Sequence, residues 1–212
     1  MQADIFPLGP LQSNCVLLRD EAAGEALVID PGVDTPEILE ILREGKLQLK
    51  AILLTHGHFD HVGGAAGLTK EFGAEVRLNR EDLYLYENAP DHGARYGLKC
   101  SPQPAPGNFL EHGTEILLGG VSVRVLHTPG HSPGSVCFHV SSENLLITGD
   151  TLFKDSVGRT DLWRGCMETL LASIAREIMT LPGDTRVIPG HGPETRVSLE
   201  KSDNPFLHGL SV

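Results

Sequence analysis

The segment Thr55-His56-Gly57-His58-Phe59-Asp60-His61 places three imidazoles and one carboxylate within six residues. His56 and His58 are two positions apart, so in an extended loop both side chains point to one side. Asp60 and His61 then present a second set of donors as the chain turns into Gly63-Gly64. Neutral imidazole together with carboxylate suits Zn²⁺, Fe²⁺ or Mn²⁺. His131, Asp150 and His191 are remote in the chain, yet each follows an apolar run and a glycine. Seven donors exceed the about four that one tetrahedral ion takes. They suit two ions sharing a water, the arrangement of two-metal hydrolytic sites, whose ions lie about 3.5–4 Å apart. His127, four residues before His131, is a candidate to support a ligand from behind. His92, His112, His139 and His208 stand alone and read as ordinary histidines.

Scattered donors need elements that bring them to one place. Four apolar runs end alike: Ala51-Ile52-Leu53-Leu54-Thr55-His56, Val123-Arg124-Val125-Leu126-His127-Thr128-Pro129-Gly130-His131, Leu145-Leu146-Ile147-Thr148-Gly149-Asp150 and Arg186-Val187-Ile188-Pro189-Gly190-His191. Each reads as a strand that delivers His or Asp at its end, and strand ends in packed sheets can converge on one edge. Further strands are predicted at Cys15–Arg19 and Ala26–Asp30, with Glu21–Gly24 as the turn, and at Ile116–Leu118, Val121–His127, Ser135–Val140 and Asn144–Thr148. Lys50–Thr55 and Arg186–Ile188 complete the set. A helix is predicted from Pro36, capped by Asp34 or Thr35, with Ile38, Ile41 and Leu42 as its apolar face and Gly45 as its stop. Others are expected over Gly64 to Phe72, over Asn79–Asn88, and after Cys166, with Met167, Leu170, Leu171, Ile174 and Ile178 on one apolar face. Asn88–Asn108 holds four prolines and three glycines and reads as a long loop.

Composition narrows the classes. The 212 residues are 40% apolar and 21% charged, as in a globular chain, and one domain spanning 1–212 is expected. Seventeen Lys and Arg stand against 28 acids, a net charge of −11, which argues against a nucleic-acid partner. No apolar run is long enough for a membrane span, and Met1-Gln2-Ala3-Asp4 does not look like a signal peptide. Cys15, Cys100, Cys137 and Cys166 form no CxxC pair and read as reduced thiols in a cytoplasmic protein.

The HxHxDH signature with distant His, Asp and His resembles the metallo-β-lactamase superfamily. The likeness runs from Val28-Ile29-Asp30-Pro31-Gly32, through Thr128-Pro129-Gly130-His131-Ser132-Pro133-Gly134 and Thr148-Gly149-Asp150-Thr151, to Pro189-Gly190-His191-Gly192-Pro193. The resemblance implies an α/β fold, an αββα sandwich of two mixed sheets back to back with helices on the outer faces and the metals at one edge. It implies that His56, His58 and His131 hold one metal, that Asp60, His61 and His191 hold the other, and that Asp150 bridges. Asp60 and Asp150 are then the carboxylates of the catalytic centre. The expected cofactor is a pair of divalent ions, zinc foremost, with iron and manganese as alternatives.

Gly149-Asp150-Thr151-Leu152-Phe153 with Val157-Gly158-Arg159-Thr160-Asp161 is most similar to the glyoxalase II (hydroxyacylglutathione hydrolase) branch. Asn204-Pro205-Phe206 resembles the ending of its short bacterial members. That likeness implies thioester hydrolysis by a bridging hydroxide, with a small-molecule, glutathione-derived thioester as substrate. Arg159 matches the basic residue that meets a glutathione carboxylate, while pairing with Asp155 or Asp161 is the structural alternative. The chain ends soon after His191, without the C-terminal helical domain of full-length relatives, so weak glutathione binding is expected. A metal-activated hydroxide needs no Ser-His-Asp triad. Two alternatives stand beside this reading: a persulfide dioxygenase of the same fold, with one iron on His56, His131 and Asp150, and a non-catalytic metal-binding protein. Secreted β-lactamases are expected to share the metal motif alone. The motifs leave the oligomeric state open.

Overall fold

A strand buried along its whole length must be covered on both faces, and its alternate residues then belong to two different cores. The computed structural model, which describes residues 1–33 and 35–209, shows this in strand after strand. In β2 (Ser13–Asp20), Cys15 and Leu17 pack toward helices, while Val16 and Leu18 face a second sheet. In β9 (Leu145–Gly149), Leu145 and Ile147 face the first sheet, and Leu146 faces helices on the far side. Three stacked apolar layers result, which is the αββα sandwich.

The first sheet runs β1 (Gln2–Leu8), β2, β3 (Glu25–Ile29), β4 (Gln48–Leu53) and β5 (Val76–Arg77). Its first three strands are antiparallel and its last two join in parallel. Helices α1 (Pro36–Glu44), α2 (Phe59–Val62), α3 (Ala65–Phe72), α4 (Leu83–Glu87) and α5 (Ala89–Arg95) accompany it. Ile38, Leu42, Val62, Leu68 and Tyr86 carry their apolar contact with the sheet. The second sheet has the order β13, β12, β9, β8, β7, β6. Here β6 is Glu115–Leu118, β7 Val121–His127, β8 Val136–Val140, β12 Arg186–Pro189 and β13 Thr195–Arg196. Only β9 and β12 are parallel in it. A hairpin of β10 (Leu152–Phe153) and β11 (Ser156–Val157) follows β9. Helices α6 (Met167–Ser173) and α7 (Val197–Asp203) cover the outer face.

Several elements depart from the sequence reading. Residues 2–8 form an edge strand that the sequence reading did not include, and Pro7 is tolerated there because an edge leaves one side unpaired. The Asn88–Asn108 segment is not all loop. Pro90 lies in the first turn of α5, where proline is favoured rather than disruptive. The helix expected over Asn79–Asn88 is a 3₁₀ turn at Arg80–Asp82 followed by α4. The helix from Met167 widens into a π turn over Ile174–Ile178, and Met167 itself is exposed. At the end of α1 the left-handed residue is Lys46 rather than Gly45. A side chain at Gly45 would press on Ile41 O at 3.0 Å and Leu47 at 3.1 Å. Thr35 sits at the N-cap without a side-chain cap bond, and Asp34 lies outside the described residues.

Candidate metal centre

The β4 strand ends at Leu53, and the next residues cross the sheet edge. Thr55 is fixed there by Asp30, which accepts from its N–H at 2.8 Å and its hydroxyl at 2.6 Å. His56 and His58 follow with Gly57 between them. A side chain at Gly57 would lie 2.8 Å from Asp82 O and from Leu85 Cβ, so the close approach of two segments requires glycine. His58 is the last extended residue before α2, and that single helical turn carries Asp60 and His61.

The other three donors leave the ends of second-sheet strands. His131 lies on the 128–135 loop after β7, Asp150 directly after β9, and His191 just after β12. These loops are tied across the two sheets. Val136 N–H donates to Thr55 O at 2.8 Å, and Asn14 N–H to Gly190 O at 2.7 Å. The Asn14 amide reaches Pro189 O and Gly192 O, both at 2.9 Å. Asp82, buried, accepts from Gly57 N–H at 2.8 Å, Ser132 Oγ at 2.6 Å and Gly134 N–H at 2.6 Å. It clamps the loop of His56 and His58 to the loop of His131.

All seven side chains come together. His58 Nδ1 is 2.9 Å from His131 Nε2, and His56 joins them in one donor group. His61 Nε2 is 3.3 Å from His191 Nε2 and 3.5 Å from Asp60 Oδ2, a second group. Asp150 stands between the two. Its Oδ1 lies 3.5 Å from His61 Nε2 and 3.8 Å from His191 Nε2, while its Oδ2 lies 3.7 Å from His131 Nε2.

The far side of each ring fixes which nitrogen is free. His61 Nδ1 donates to Asp30 at 3.0 Å, His131 Nδ1 to Arg159 O at 2.7 Å, and His191 Nδ1 to Leu11 O at 3.0 Å. The Thr55 hydroxyl, already donating to Asp30, accepts from His56 Nδ1 at 3.0 Å. Nε2 lone pairs of these four rings therefore point inward, as metal-ligating histidines require. His56 Nε2 and Asp150 Oδ1 are buried with no hydrogen-bond partner. An orphaned buried acceptor costs about 1–3 kcal/mol, and facing lone pairs repel, so the cluster fits a bound cation. Asp30 also lies near His56 and His61, but its oxygens are engaged by Thr55 and His61, and its part is to orient.

The electrostatics divide the same way. Burial drives His56 well below its usual range, with His61, His58 and His131 adding to the fall. Burial and then His131 bring His58 down to about 3. Both are neutral donors at pH 7. His61 goes the other way: burial lowers it, but Asp60, Asp150 and Asp30 outweigh burial and lift it to about 10. Burial pushes the Asp60 carboxyl up, but His61 and His191 outweigh it and hold the group well below the usual carboxylate range. A proton on His61 thus stands where a cation is demanded.

The sequence matches the metallo-beta-lactamase superfamily over residues 8–191. The chain belongs to that superfamily. Hydroxyacylglutathione hydrolase GloC of Haemophilus influenzae is 39% identical over 213 residues, covering 100% of both chains. The crystal structure of the B3 metallo-beta-lactamase BLEG-1 has a TM-score of 0.90 at 37% identity, covering 98% of this chain and 100% of that one. TTHA1623, solved in a di-iron-bound form, has a TM-score of 0.88 at 42% identity, covering 96% and 100%. The likeness to a β-lactamase therefore runs the length of the chain, beyond the shared metal motif that the sequence reading expected. This superfamily member is a metallo-hydrolase.

In this metallo-hydrolase the donors open into a cleft of 780 Å³. Leu11, Phe153, Val157, Leu162 and Trp163 give it apolar walls. Arg159 lines it too, but its exposed guanidinium is forked by Asp161, with Nε–Oδ1 and Nη2–Oδ2 both at 2.7 Å. Asp155 is not its partner; it pairs with Lys154. His127 donates to Pro133 O at 3.0 Å, which closes the loop of His131 without touching a donor. Asn204 of the Asn-Pro-Phe segment holds the β10–β11 hairpin through Ser156 O at 3.0 Å. Sequence reasoning missed Asp30, Asp82, Ser13 and Asn14. Ser13 donates to Asp60 Oδ2 at 3.2 Å. Asp82 carries the clearest overlooked signal: with Leu85 and Tyr86 it puts a charge on a buried helical face.

Proposed function

We propose that this metallo-hydrolase cleaves a small thioester of the hydroxyacylglutathione type at a dinuclear metal centre. The observation that carries the reading is Asp150, whose two oxygens divide between the two donor groups, as a bridging carboxylate does. His56, His58 and His131 would hold one ion, and Asp60, His61 and His191 the other. Divalent ions bound there supply an activated water at neutral pH and a Lewis acid for a carbonyl oxygen. Zinc is the ion we favour on ligand type, with iron and manganese as alternatives.

The protein's own groups favour a thioester. Asp60, held ionised by His61 and His191, has no proton at neutral pH to give a leaving group. A thiolate leaves without one, whereas an amine does not. Ser13 fixes the Asp60 carboxylate, and Asn14 fixes the His191 loop. The apolar cleft walls offer a surface against which the hydrocarbon parts of such a substrate can pack. Likeness to GloC, covering the full length of both chains, supports a hydroxyacylglutathione substrate. Four free cysteines suit the cytoplasm, where we place the enzyme. No helix among the described residues is long and apolar enough to cross a membrane.

Elemental analysis combined with turnover of a lactoyl thioester tests the proposal. About two ions per chain, with turnover lost in chelator and restored by zinc, is the expected result. Saturation at one iron with oxygen consumption on a persulfide would instead establish the dioxygenase. Bound metal without turnover of any thioester, ester or β-lactam would leave a binding protein.

A further inference from the structure

The cleft has a charge pattern that the metal donors do not account for. Beyond the donors that line it, His58, Asp60, His131, Asp150 and His191, its titratable lining is His92, Arg95, Tyr96 and Arg159, with no carboxylate. That is notable in a chain with 28 acids against 17 Lys and Arg. The two arginines are not equivalent. Arg159 is forked by Asp161, so its charge is already met. Arg95 makes no ion pair and no side-chain hydrogen bond among the described residues. It sits in the last turn of α5, exposed to the cleft.

Its place is fixed relative to the donors. Tyr96 stacks on Phe59 with ring centroids 5.2 Å apart, and Phe59 stands in the chain between His58 and Asp60. A side chain at Gly93 would meet the Phe59 ring at 3.5 Å, so the helix lies close against that ring. The end of the helix that carries Arg95 is thus anchored beside the centre by an aromatic contact, which leaves the guanidinium free at the cleft wall, with His92 on the same helix.

We propose that Arg95, rather than Arg159, is the anion receptor of the cleft and selects substrates bearing a carboxylate away from the scissile carbonyl. The inference rests on the thioester reading and assigns its specificity. A carboxylate held by a guanidinium forms charge-assisted hydrogen bonds that a neutral analogue cannot make. The receptor acts on binding and not on the reacting atoms, so its loss raises KM and spares kcat.

The test compares metal-loaded wild type, Arg95→Ala, Arg95→Lys and Arg159→Ala on two lactoyl thioesters, of glutathione and of glutathione dimethyl ester. Arg95→Ala is expected to raise KM for the free-acid substrate about ten-fold, leave kcat unchanged and leave both constants unchanged for the diester. Arg95→Lys should recover part of the loss, and Arg159→Ala should shift KM less than Arg95→Ala. An unchanged KM in Arg95→Ala, an equal loss on both substrates, or the larger loss in Arg159→Ala overturns the assignment. Calorimetric titration with S-methylglutathione and its dimethyl ester reads the same contact without turnover. If wild type hydrolyses neither thioester, the thioester reading falls and the titration decides alone. Tighter binding of the free acid, lost in Arg95→Ala, then upholds the receptor, and equal binding of acid and diester removes it.

Discussion

Removing the Asp82 carboxylate should loosen the metal centre without touching a metal donor. Asp82→Ala strands the Gly57 and Gly134 N–H groups, while Ser132 keeps Ser135 Oγ at 2.7 Å. Each stranded buried donor costs about 1–3 kcal/mol, so two give about 2–6 kcal/mol. Burial pushes the Asp82 carboxyl above its ordinary value, against the pull of Ser132, Gly57 and Gly134. Deleting the charge therefore returns part of its desolvation, which brings the expected loss to about 2–3 kcal/mol. Asp82→Asn must turn an amide N–H toward one of the backbone donors, so it strands one group and loses about 1–3 kcal/mol. The clamp also sets the spacing of the loops carrying His58 and His131. Loss of such support lowers metal affinity about 10–100-fold, which takes a further ~1.4–2.7 kcal/mol from the stabilisation by saturating metal. Urea unfolding with zinc and with chelator separates the two effects. The Asp82→Ala deficit should be larger with zinc than with chelator. A variant within about 0.5 kcal/mol of wild type in both conditions would refute the clamp. Equal deficits in both would confine Asp82 to stability and remove it from the metal centre.

His58→Ala should retain about one ion per chain, because the Asp60, His61 and His191 group is intact, and lose turnover by about 10²-fold or more. Asp150→Ala should fall below that occupancy, since both donor groups face this carboxylate; two ions retained in Asp150→Ala would exclude bridging. Alkylation at neutral pH should label Cys166 first, because it is exposed and the Thr169 hydrogen bonds lower its thiol. Burial pushes Cys137 up to about 12 and raises Cys15 well above its ordinary value, so both should react only on unfolding. Peptide mass mapping checks this, and native labelling of Cys137 at the rate of Cys166 would contradict the burial argument.

The donors were legible because their chemistry is concentrated. Three imidazoles and a carboxylate in six residues have no common structural use, and the Pro-Gly-His and Gly-Asp strand ends mark the others. The strands were legible because burial on both faces demands unbroken apolar runs such as Val16-Leu17-Leu18 and Leu145-Leu146-Ile147. What stayed hidden has partners that sequence does not display. Asp82 bonds backbone amides at positions 57 and 134, and Asn14 bonds carbonyls at 189 and 192. A backbone group has no residue identity, so such pairings leave no local pattern. Arg95 was hidden inside a segment whose prolines suggested a loop, and only α5 places it on the cleft wall.

The centre depends on both sheets meeting at one edge. The first sheet supplies His56, His58, Asp60 and His61, and the second supplies His131, Asp150 and His191. No sheet alone completes either donor group. The register between them is set by the layer of Val16, Leu18, Leu53, Val125, Phe138 and Ile147, and at the edge by glycines that admit direct contact. Gly149 is the sharpest case. It is left-handed, at φ 49°, and a side chain there would strike Thr55, whose hydroxyl orients His56. Gly190 is similar, because a side chain would strike Asp150. Close packing transmits displacement, so a shift of one sheet on the other moves His131 against His58 and Asp150 against His61. The apolar interior between the sheets is therefore part of what determines the donor spacing.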